Sequence, residues 1–381
     1  MSGFHEQSFD EGTQLKLAMF QGYIREWLPT FLTSYQGKNN YSEIWLFDFF
    51  AGPGTDKDGK PGTPLIIIRE IQKYFQGRGE IANNNVAINV VFNDLNADNI
   101  EKLKVAVGER AELTTLKINV IYHSAPFQTL LPKYINTISS PHCPCLVIID
   151  QFGVKEVNQS IFEKLVNAST TDVMFFISSS FFKRFRDFPF TDDILPLSEN
   201  FESVEWNNAH RKVCEAFKDL AKKSKEYYVA PFSIKKGSNI WGIIFGSSLP
   251  LGLEKFLNVA WKIDPKTGEA NFPIDNDPIS KSPNQKYLFD DMNVTRKEDA
   301  FRESLIVFLR QKRSNHDVYI FALERGFPPP KVNSILRSLH GSLCFGPTGV
   351  TRLGAYHIGW EHYRVRGTAK DMPIYLQYEG E

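Results

Sequence analysis

The chain has 381 residues, and its 44 lysines and arginines are balanced by 44 aspartates and glutamates. This length allows two domains with substantial cores, and zero net charge excludes a global field that attracts nucleic acid or membrane, so such a surface must be local. Four cysteines without a C-x-x-C pair, and no apolar run of about 20 residues, predict a reduced, cytoplasmic protein with neither disulfides nor a membrane span. Cys143-Pro144-Cys145 at a strand entry predicts core packing, and no metal site is expected.

Residues 14–35 are predicted to form the first helix. Apolar side chains recur there at helical spacing and should pack against the first strand. They are Leu15, Ala18, Met19, Gly22, Tyr23 and Trp27. Lys16 is expected to point away from this stripe.

The stretch from Ile44 to Gly54 predicts a buried strand that delivers backbone to a ligand. It ends in Asp48 and a Gly52-Pro53-Gly54 turn, where the missing Cβ atoms let main-chain N–H groups approach a bound group. A dinucleotide site is disfavoured, because the third glycine of G-x-G-x-x-G is absent and the next helix begins only at Thr63-Pro64. A turn that needs glycine for geometry alone is the equal alternative.

The arrangement D-x-F-x-G-x-G at 48–54 resembles the first motif of class I S-adenosylmethionine-dependent methyltransferases. The resemblance implies S-adenosylmethionine as the cofactor, with the glycines passing under its methionine part. The cofactor-binding residues expected in this turn are Asp48, Phe50, Ala51, Gly52 and Gly54.

An acid follows the second predicted strand, 86–92. The carboxylate of Asp94 can accept two hydrogen bonds from a ribose diol, as in nucleotide-binding folds. It lies farther from the glycines than the usual spacing of about 20 residues, which an inserted loop at 55–62 explains. Asn93, Asp94 and Asn96 also suit a cap on the following helix, and both roles are expected together.

Three later strands, at 116–122, 145–150 and 173–177, are predicted to end at the same edge of the sheet as the first two. Strands at 227–234 and 240–245 form an antiparallel pair that completes a seven-stranded sheet of mixed direction. Small or polar residues follow the first five strands of this sheet, which predicts a ligand crevice. Ser124 is a candidate contact to adenine, with an ordinary loop as the equal alternative.

Aromatic and basic residues alternate just after the fifth strand, at 181–186. Lys183 and Arg184, placed among phenylalanines, suit binding of single-stranded nucleic acid. The more common explanation is an amphipathic segment with core rings and solvated charges.

The composition changes near residue 276. Residues 276–285 are rich in Pro, Asn and Ser and predict a linker between an α/β domain at 1–275 and a second domain at 286–370, followed by a tail at 371–381.

Two short helices joined by Gly326-Phe327 predict a helix-turn-helix in the second domain, and 346–354 predicts a hairpin wing. A winged helix of this kind can bind nucleic acid through exposed polar and basic side chains. The candidates are Lys331, Asn333, Ser334, Arg337 and Arg352. The alternative is a winged helix used for protein contacts.

Several motifs together resemble the three-Cys-motif partner protein family. They are Lys16 on the first helix, the turn at 48–54, Gly62-Thr63-Pro64-Leu65, a D-P-Y/F-G position at 150–153 and the segment 243–272. The likeness covers most of residues 14–275 and implies a Rossmann-like class I methyltransferase sheet with a DNA-binding-like module. It also implies a cysteine-motif partner protein encoded alongside, and a role in bacterial defence or nucleic-acid processing.

Asp150-Gln151-Phe152-Gly153 departs from the family pattern by placing glutamine where proline is expected. It is similar to the [D/N]-P-P-[Y/F/W] motif of amino-methyltransferases. This similarity implies that Asp150 accepts the hydrogens of an exocyclic amine of a nucleic-acid base and that Phe152 stacks on the base. The fixed φ of proline is lost at Gln151.

Three function classes follow from these motifs. They are an enzyme that methylates nucleic acid, a nucleic-acid-binding module, and an assembly protein whose cofactor pocket is degenerate. The sequence does not distinguish DNA from RNA.

Overall fold

The structure is a computed structural model. It describes residues 8–33, 41–76, 86–108, 118–151, 156–181, 208–222, 226–275, 295–346 and 356–380. The chain divides into two compact units, Met1–Lys255 and Phe256–Glu381, whereas the sequence predicts a boundary at 275. The predicted linker at 276–285 lies outside the described residues. Within the described ranges, no helix is both long and apolar enough to cross a membrane.

The first unit is built on a seven-stranded mixed sheet. Its strands are β1 (Glu43–Asp48), β2 (Ala87–Asn93), β3 (Ile118–His123), β4 (Cys145–Ile149), β5 (Thr171–Ile177), β6 (Tyr228–Lys236) and β7 (Asn239–Ser247). They lie in the order β3-β2-β1-β4-β5-β7-β6. The first five are parallel, and β7 runs antiparallel to both of its neighbours. This mixed, mostly parallel α/β sheet is consistent with the predicted Rossmann-like methyltransferase fold.

Helices alternate with these strands, as the crossovers between parallel strands require. They are α1 (Glu11–Leu32), α2 (Thr63–Gln76), α3 (Ala97–Val107), α4 (Phe127–Ser139), α5 (Gln159–Val166), α6 (Ala209–Lys222) and α7 (Pro250–Ile263), the last of which spans the division between the units. Every residue of β4 is buried, as expected for a parallel strand covered on both faces.

The buried face of α1 differs from the predicted stripe. Ala18 is exposed and Leu15 is half-buried, whereas Lys16 is only 6% exposed. The expectation that Lys16 points away from the core is wrong, because its ammonium group is paired with Asp150. The helical spacing of apolar residues does not indicate that Lys16 is buried, because its partner Asp150 lies more than 100 residues away in the sequence.

The cysteines near β4 pack in the core, as predicted. Cys143 and Cys145 both belong to the buried apolar cluster of the first unit. Both carry free thiols, and Cys145 donates to the backbone carbonyl oxygen of Cys143 at 3.3 Å. In the ranges that the structure describes, no group of side chains is arranged to hold a metal ion.

The second unit combines helices with a small antiparallel sheet. In chain order its elements are α8 (Arg296–Leu309), β8 (Arg313–Ser314), α9 (Asn315–Glu324), α10 (Pro329–Ser338), β9 (Leu343–Gly346), α11 (Trp360–Tyr363) and β10 (Tyr375–Tyr378). The strand order is β8-β10-β9. The predicted tail at 371–381 thus contains the central strand, which pairs on both sides. The predicted wing begins at the last residue of β9, and the rest of it lies outside the described residues.

Trp261, on α7, supports the turn between α9 and α10. Its indole Nε1–H donates to the backbone oxygen of Gly326 at 2.8 Å, and Gly326 has a φ of 80°. The carboxylate of Asp264, three residues later, accepts hydrogen bonds from Thr267 and from the backbone of Glu269. Trp261 and Asp264, both in the segment 243–272 on which the family resemblance partly rests, therefore have a structural role within the second unit.

Candidate ligand-binding site at the carboxyl edge of the sheet

The centre of the first sheet is the place where its strand order changes direction. From β1 the chain proceeds outward to β2 and β3, and it then returns to β4 on the other side of β1. In open α/β sheets, ligands bind at the carboxyl ends of the strands at such a point. Asp48 is the last residue of β1 and Asp150 follows β4 directly.

The turn after β1 depends on glycine geometry. Gly52 and Gly54 have φ values of 62° and 89°, in the left-handed region that favours glycine. A Cβ atom on Gly54 would lie 2.8 Å from Cδ1 of Leu103 in α3. The backbone N–H of Gly62 closes the following loop by donating to the Gly54 oxygen at 2.7 Å. The glycines are therefore required for the geometry of the turn. This requirement is compatible with a role in ligand binding.

Asp94 joins the glycine turn to the start of α3. Its Oδ2 accepts from the Gly52 N–H at 3.0 Å, and its Oδ1 accepts from the Asn96 N–H at 2.8 Å and from Asn99 Nδ2 at 3.1 Å. Asn96 caps α3 by accepting from the Asp98 N–H at 2.9 Å, which confirms the predicted cap. A carboxylate offers about four acceptor positions, so three hydrogen bonds leave Asp94 about one for a ligand.

Asn93 is a central residue of this edge, although the sequence predicts only a capping role for it. Its Nδ2 donates to the backbone oxygens of Phe49 and Ala125 at 3.1 and 3.0 Å, and its Oδ1 accepts from the Ala125 N–H at 3.1 Å. The buried amide thus ties the end of β1 to the loop after β3. An amide as the last residue of an apolar strand is the signal that indicates this role.

The loops after β2 and β3 meet beside Asp94. Ser124 is exposed, and its hydroxyl donates to the backbone oxygen of Leu95 at 3.3 Å. The Leu95 side chain is 73% exposed. Leu95 comes directly after Asp94, the acid that follows β2, and its apolar side chain offers a surface to a flat ligand. The sequence analysis did not select this residue.

Three ionisable side chains lie close together at the carboxyl ends of β1 and β4, beside α1. The Lys16 Nζ donates to Asp150 Oδ2 at 2.5 Å and lies 4.9 Å from the ring centroid of Phe176. Asp48 is fully buried; its Oδ1 accepts from the Phe50 N–H at 3.1 Å, and its Oδ2 has no partner among the described residues. Burial, and then the charge of Asp150, raise the pKa of Asp48 to about 8.

Gln151 stands where the family pattern has proline, and its side chain holds the local backbone by hydrogen bonds. Its side chain is buried, and its Oε1 accepts from the backbone N–H groups of Glu156 at 2.8 Å and Val157 at 3.4 Å. The glutamine therefore fixes the distance between the end of β4 and the segment before α5. Phe152, the predicted stacking residue, lies outside the described residues.

The loop at 55–62 is organised by one carboxylate. Asp56 accepts from the backbone N–H groups of Phe9, Asp58 and Lys60 at 2.8–2.9 Å. Burial by itself would raise the pKa of Asp56, but these hydrogen bonds hold that pKa below its ordinary value. The loop anchors the residues before α1 over the glycine turn.

This arrangement encloses little space at the site. The cavity between α1, the glycine turn and Asp150 has a volume of ≈ 30 Å³, far below the roughly 300–1,000 Å³ of small-molecule pockets. Its lining includes Phe9, Lys16, Phe50, Gly54, Thr63 and Asp150. A ligand larger than a water molecule must lie in the open crevice or displace part of this lining.

The predicted nucleic-acid-binding residues fall into two groups. Lys183, Arg184 and Arg352 lie outside the described residues. On α10, Ser334 and Arg337 are exposed, whereas the Lys331 Nζ lies 4.1 Å from the ring centroid of Trp261. Asn333 donates to the Pro329 oxygen of its own helix at 2.9 Å. Two of these four α10 side chains are thus occupied within the second unit.

No family model matches the sequence, and no curated protein matches it. Among solved structures, part of the chain is similar in fold to several methyltransferases. Trm1 from Pyrococcus horikoshii, solved with S-adenosylmethionine, is 11% identical at a TM-score of 0.36, over 69% of this chain and 63% of that one. The delta-N METTL16 methyltransferase domain is 11% identical at a TM-score of 0.32, over 61% and 83% of the two chains.

An O-methyltransferase from Bacillus cereus, solved with S-adenosylhomocysteine, is 13% identical at a TM-score of 0.32, over 64% of this chain and 83% of that one. The chain spans less than two thirds of the length of Trm1. Similarities at these identities and TM-scores do not identify a reaction.

Proposed function

We propose that the first unit binds S-adenosylmethionine at the carboxyl edge of β1 and β2. The observation that carries this proposal is the glycine turn at the point where the sheet order changes direction, joined to the acid that follows β2. Two buried, positive-φ glycines shape the turn there, and Asp94 holds the Gly52 N–H in place. A turn without a helix N-terminus directly behind it suits a ligand that carries no pyrophosphate at this position.

The buried, unpartnered oxygen of Asp48 supports a cationic ligand group at this site. An isolated buried carboxylate oxygen is costly unless it finds a donor. The ammonium group of the methionine part of the cofactor is such a donor, and it would also favour the ionised form of Asp48. The turn residues Phe50 and Ala51 would then border the same ligand.

The second part of the cofactor site is the crevice between Asp94, Leu95 and Ser124. The remaining acceptor position of Asp94 would receive one hydroxyl of the ribose, and a second hydroxyl would replace the hydrogen bond from Asn99. Leu95 would cover one face of the adenine ring, which accounts for its 73% exposure. Because the enclosed cavity is ≈ 30 Å³, entry of the methionine part requires Phe9 or Lys16 to move.

We further propose that the acceptor is an exocyclic amine of a nucleic-acid base held at Asp150. When bound, the cofactor supplies an electrophilic methyl group. Transfer would break the sulfur–methyl bond, release S-adenosylhomocysteine and leave positive charge on the acceptor nitrogen, which would then lose a proton to solvent. The Asp150 carboxylate would stabilise that charge through hydrogen bonds that strengthen in the transition state. Only Asp150 Oδ2 is engaged by Lys16, so Oδ1 can accept from the amine. Phe152 is proposed to stack on the base.

Nucleic-acid binding by the second unit is also proposed. Its order of helix, strand, two helices, strand, short helix and strand, with the strands arranged β8-β10-β9, supports a winged helix-turn-helix. Exposed Ser334 and Arg337 on α10 are available for phosphate or base contacts. The same element order also serves folds that contact proteins.

A second candidate function is that of a non-catalytic binding or assembly partner of a cysteine-motif protein. The small cavity and the occupied Asp150 oxygen favour this alternative, because both describe a site closed by the protein itself. The cysteine-motif partner, the role in bacterial defence and the cytoplasmic location are expectations of the sequence that belong to this proposal.

Calorimetric titration with S-adenosylmethionine and S-adenosylhomocysteine tests the cofactor proposal. We expect saturable binding by the full chain and at least a tenfold loss of affinity in Asp94→Ala, because the glycine turn loses its anchor. Asp98→Ala, at an exposed aspartate in the same loop-helix segment, is the matched control and should bind normally. Absence of binding by the full chain, with and without nucleic acid, would instead support the assembly function.

Methyl transfer from radiolabelled cofactor to single-stranded and duplex DNA and RNA tests the reaction. Asp150→Ala should abolish transfer and leave cofactor affinity within about threefold. Equal transfer by wild type and Asp150→Ala would eliminate the proposed role of the carboxylate.

A further inference from the structure

The second unit contains a groove that has no part in the proposed methyl transfer. Its volume is ≈ 690 Å³, within the roughly 300–1,000 Å³ typical of ligand sites. Strands β9 and β10 provide much of its surface. Among the residues that line it are Lys312, Phe345, Gly346, Met372, Tyr375 and Gln377.

The groove displays apolar surface to solvent. The Met372 side chain is 78% exposed and Tyr375 is 41% exposed. Apolar groups gathered in one concave patch, rather than scattered singly, mark interaction sites. This groove is therefore a candidate for binding a ligand with apolar faces.

The strand register leaves room beside the tyrosine ring. Tyr375 on β10 lies opposite Gly346 on β9, and glycine contributes no side chain to the cross-strand pair. Cross-strand neighbours normally cover one another at about 4.5–5.5 Å between Cβ atoms. Because Gly346 has no side chain to cover the Tyr375 ring, a flat group can reach that ring.

A cation lies directly at this aromatic surface. The Lys312 Nζ is 4.7 Å from the Tyr375 ring centroid. Gln377, two residues along the same strand and on the same face, adds an amide that can both donate and accept hydrogen bonds. The Glu379 carboxylate accepts from the thiol of Cys344, a residue of the lining, at 2.9 Å.

We propose that this groove binds single-stranded nucleic acid, with one base stacked on Tyr375 and a neighbouring phosphate at Lys312. An exposed ring beside a cation is the combination that holds single strands, because every base has a face to stack and every linkage carries a negative charge. Gln377 can hydrogen-bond to a base edge that a single strand leaves unpaired.

Strand addition by a peptide does not use the central strand that carries Tyr375. Extended peptides bind by adding a strand to a sheet edge, which on this side is β9, whereas Tyr375 belongs to β10, whose two sides are already paired with β8 and β9. Only the side-chain face of β10 is accessible, and stacking uses that face. Neither cofactor binding nor methyl transfer in the first unit is needed for this interaction.

Fluorescence anisotropy of the full chain with labelled 12-nucleotide single strands of DNA and RNA, without cofactor, tests the proposal. Base–aromatic stacking contributes roughly 1–3 kcal/mol per base. Tyr375→Ala should therefore weaken binding at least fivefold, while Tyr375→Phe, which keeps the ring, should stay within twofold of wild type. Lys312→Gln should reduce the slope of log Kd against log salt by about 0.7, the value for one phosphate contact on a single strand.

Two controls separate this site from other causes. Lys212→Gln removes a lysine of the first unit, which pairs with Glu215, and should leave both affinity and slope unchanged. Thermal unfolding of each variant shows whether Tyr375→Ala retains its fold, and Tyr375→Phe and Lys312→Gln decide the question if it does not.

The outcomes distinguish this proposal from the methyltransferase proposal. Equal binding by wild type and folded Tyr375→Ala, or no binding of any single strand, overturns the groove as a nucleic-acid site even if methyl transfer occurs. Equal affinity for AMP or UMP and for the 12-nucleotide strands overturns it in favour of a free-nucleotide pocket. Loss of cofactor binding with retained, Tyr375-dependent strand binding supports it while rejecting the enzyme.

Discussion

Replacement of Asp48 by asparagine should stabilise the protein, and the gain should grow with pH. Burial and the charge of Asp150 raise the pKa of this carboxyl from its ordinary 3.8 to about 8. Between these values the folded protein holds a proton that the unfolded chain has released. Because the folded state binds more protons there, wild-type stability falls as pH rises.

The size of the effect follows from the same shift. One pKa unit corresponds to about 1.4 kcal/mol, so wild type should lose up to about 2.7 kcal/mol relative to Asp48→Asn between pH 5 and pH 7. Asparagine keeps an oxygen to accept from the Phe50 N–H, as Asp48 Oδ1 does at 3.1 Å. The gain should level off as pH rises through about 8, where the folded protein also releases the proton.

Urea unfolding followed by tryptophan fluorescence at pH 5, 6, 7 and 8 measures this difference. Asp98→Asn, at an exposed position, controls for the change from carboxylate to amide. A stability difference between wild type and Asp48→Asn that stays constant over this pH range would refute a buried, proton-holding Asp48. If Asp48 Oδ2 pairs with a cationic group of the cofactor, Asp48→Asn should also bind S-adenosylmethionine more weakly. The variant would then gain stability and lose function.

Three further substitutions test the supports of the two units. Gly54→Ala should cost about 1–3 kcal/mol in urea unfolding, since φ is 89° and the new Cβ would lie 2.8 Å from Leu103; an unchanged midpoint would contradict the turn geometry. Gln151→Leu should cost about 1–3 kcal/mol by leaving backbone donors unpaired, and hydrogen exchange at those amides should accelerate; unchanged exchange would show that the glutamine does not hold the loop. Trp261→Phe removes the indole donor to Gly326 and should destabilise the second unit by about 1–3 kcal/mol. Equal melting temperatures of wild type and Trp261→Phe would show that this hydrogen bond does not stabilise the turn.

Local sequence patterns were sufficient to predict most of the elements in the first unit. The apolar run ending in Asp48 and the glycines after it predicted β1 and its turn, and the fully apolar run at 145–149 predicted β4, because buried parallel strands exclude polar side chains. The mixed seven-stranded sheet is confirmed. The sequence analysis predicted only a tail at 371–381 and no strand. A strand of four residues carries too weak a period-two signal to be recognised as the centre of a sheet.

The candidate site could be predicted only in part. The acids and glycines were selected by their position after strands, which is a property of the sequence. The Lys16–Asp150 pair was not, since its partners are 134 residues apart and meet only when the fold brings α1 to the residue that follows β4. Nor does any local pattern indicate that Gln151 accepts from the backbone of Glu156.

The sequence by itself determined which residue types end each strand, and therefore where a crevice would form. Tertiary structure decided their chemical state. Asp48 and Asp150 are both aspartates at the ends of apolar strands, yet one is fully buried with an unpartnered oxygen and the other is paired with a lysine. The pKa and hydrogen-bonding capacity of a carboxyl depend on its solvation and on the charges around it, and these are set by the elements that pack against it from elsewhere in the chain.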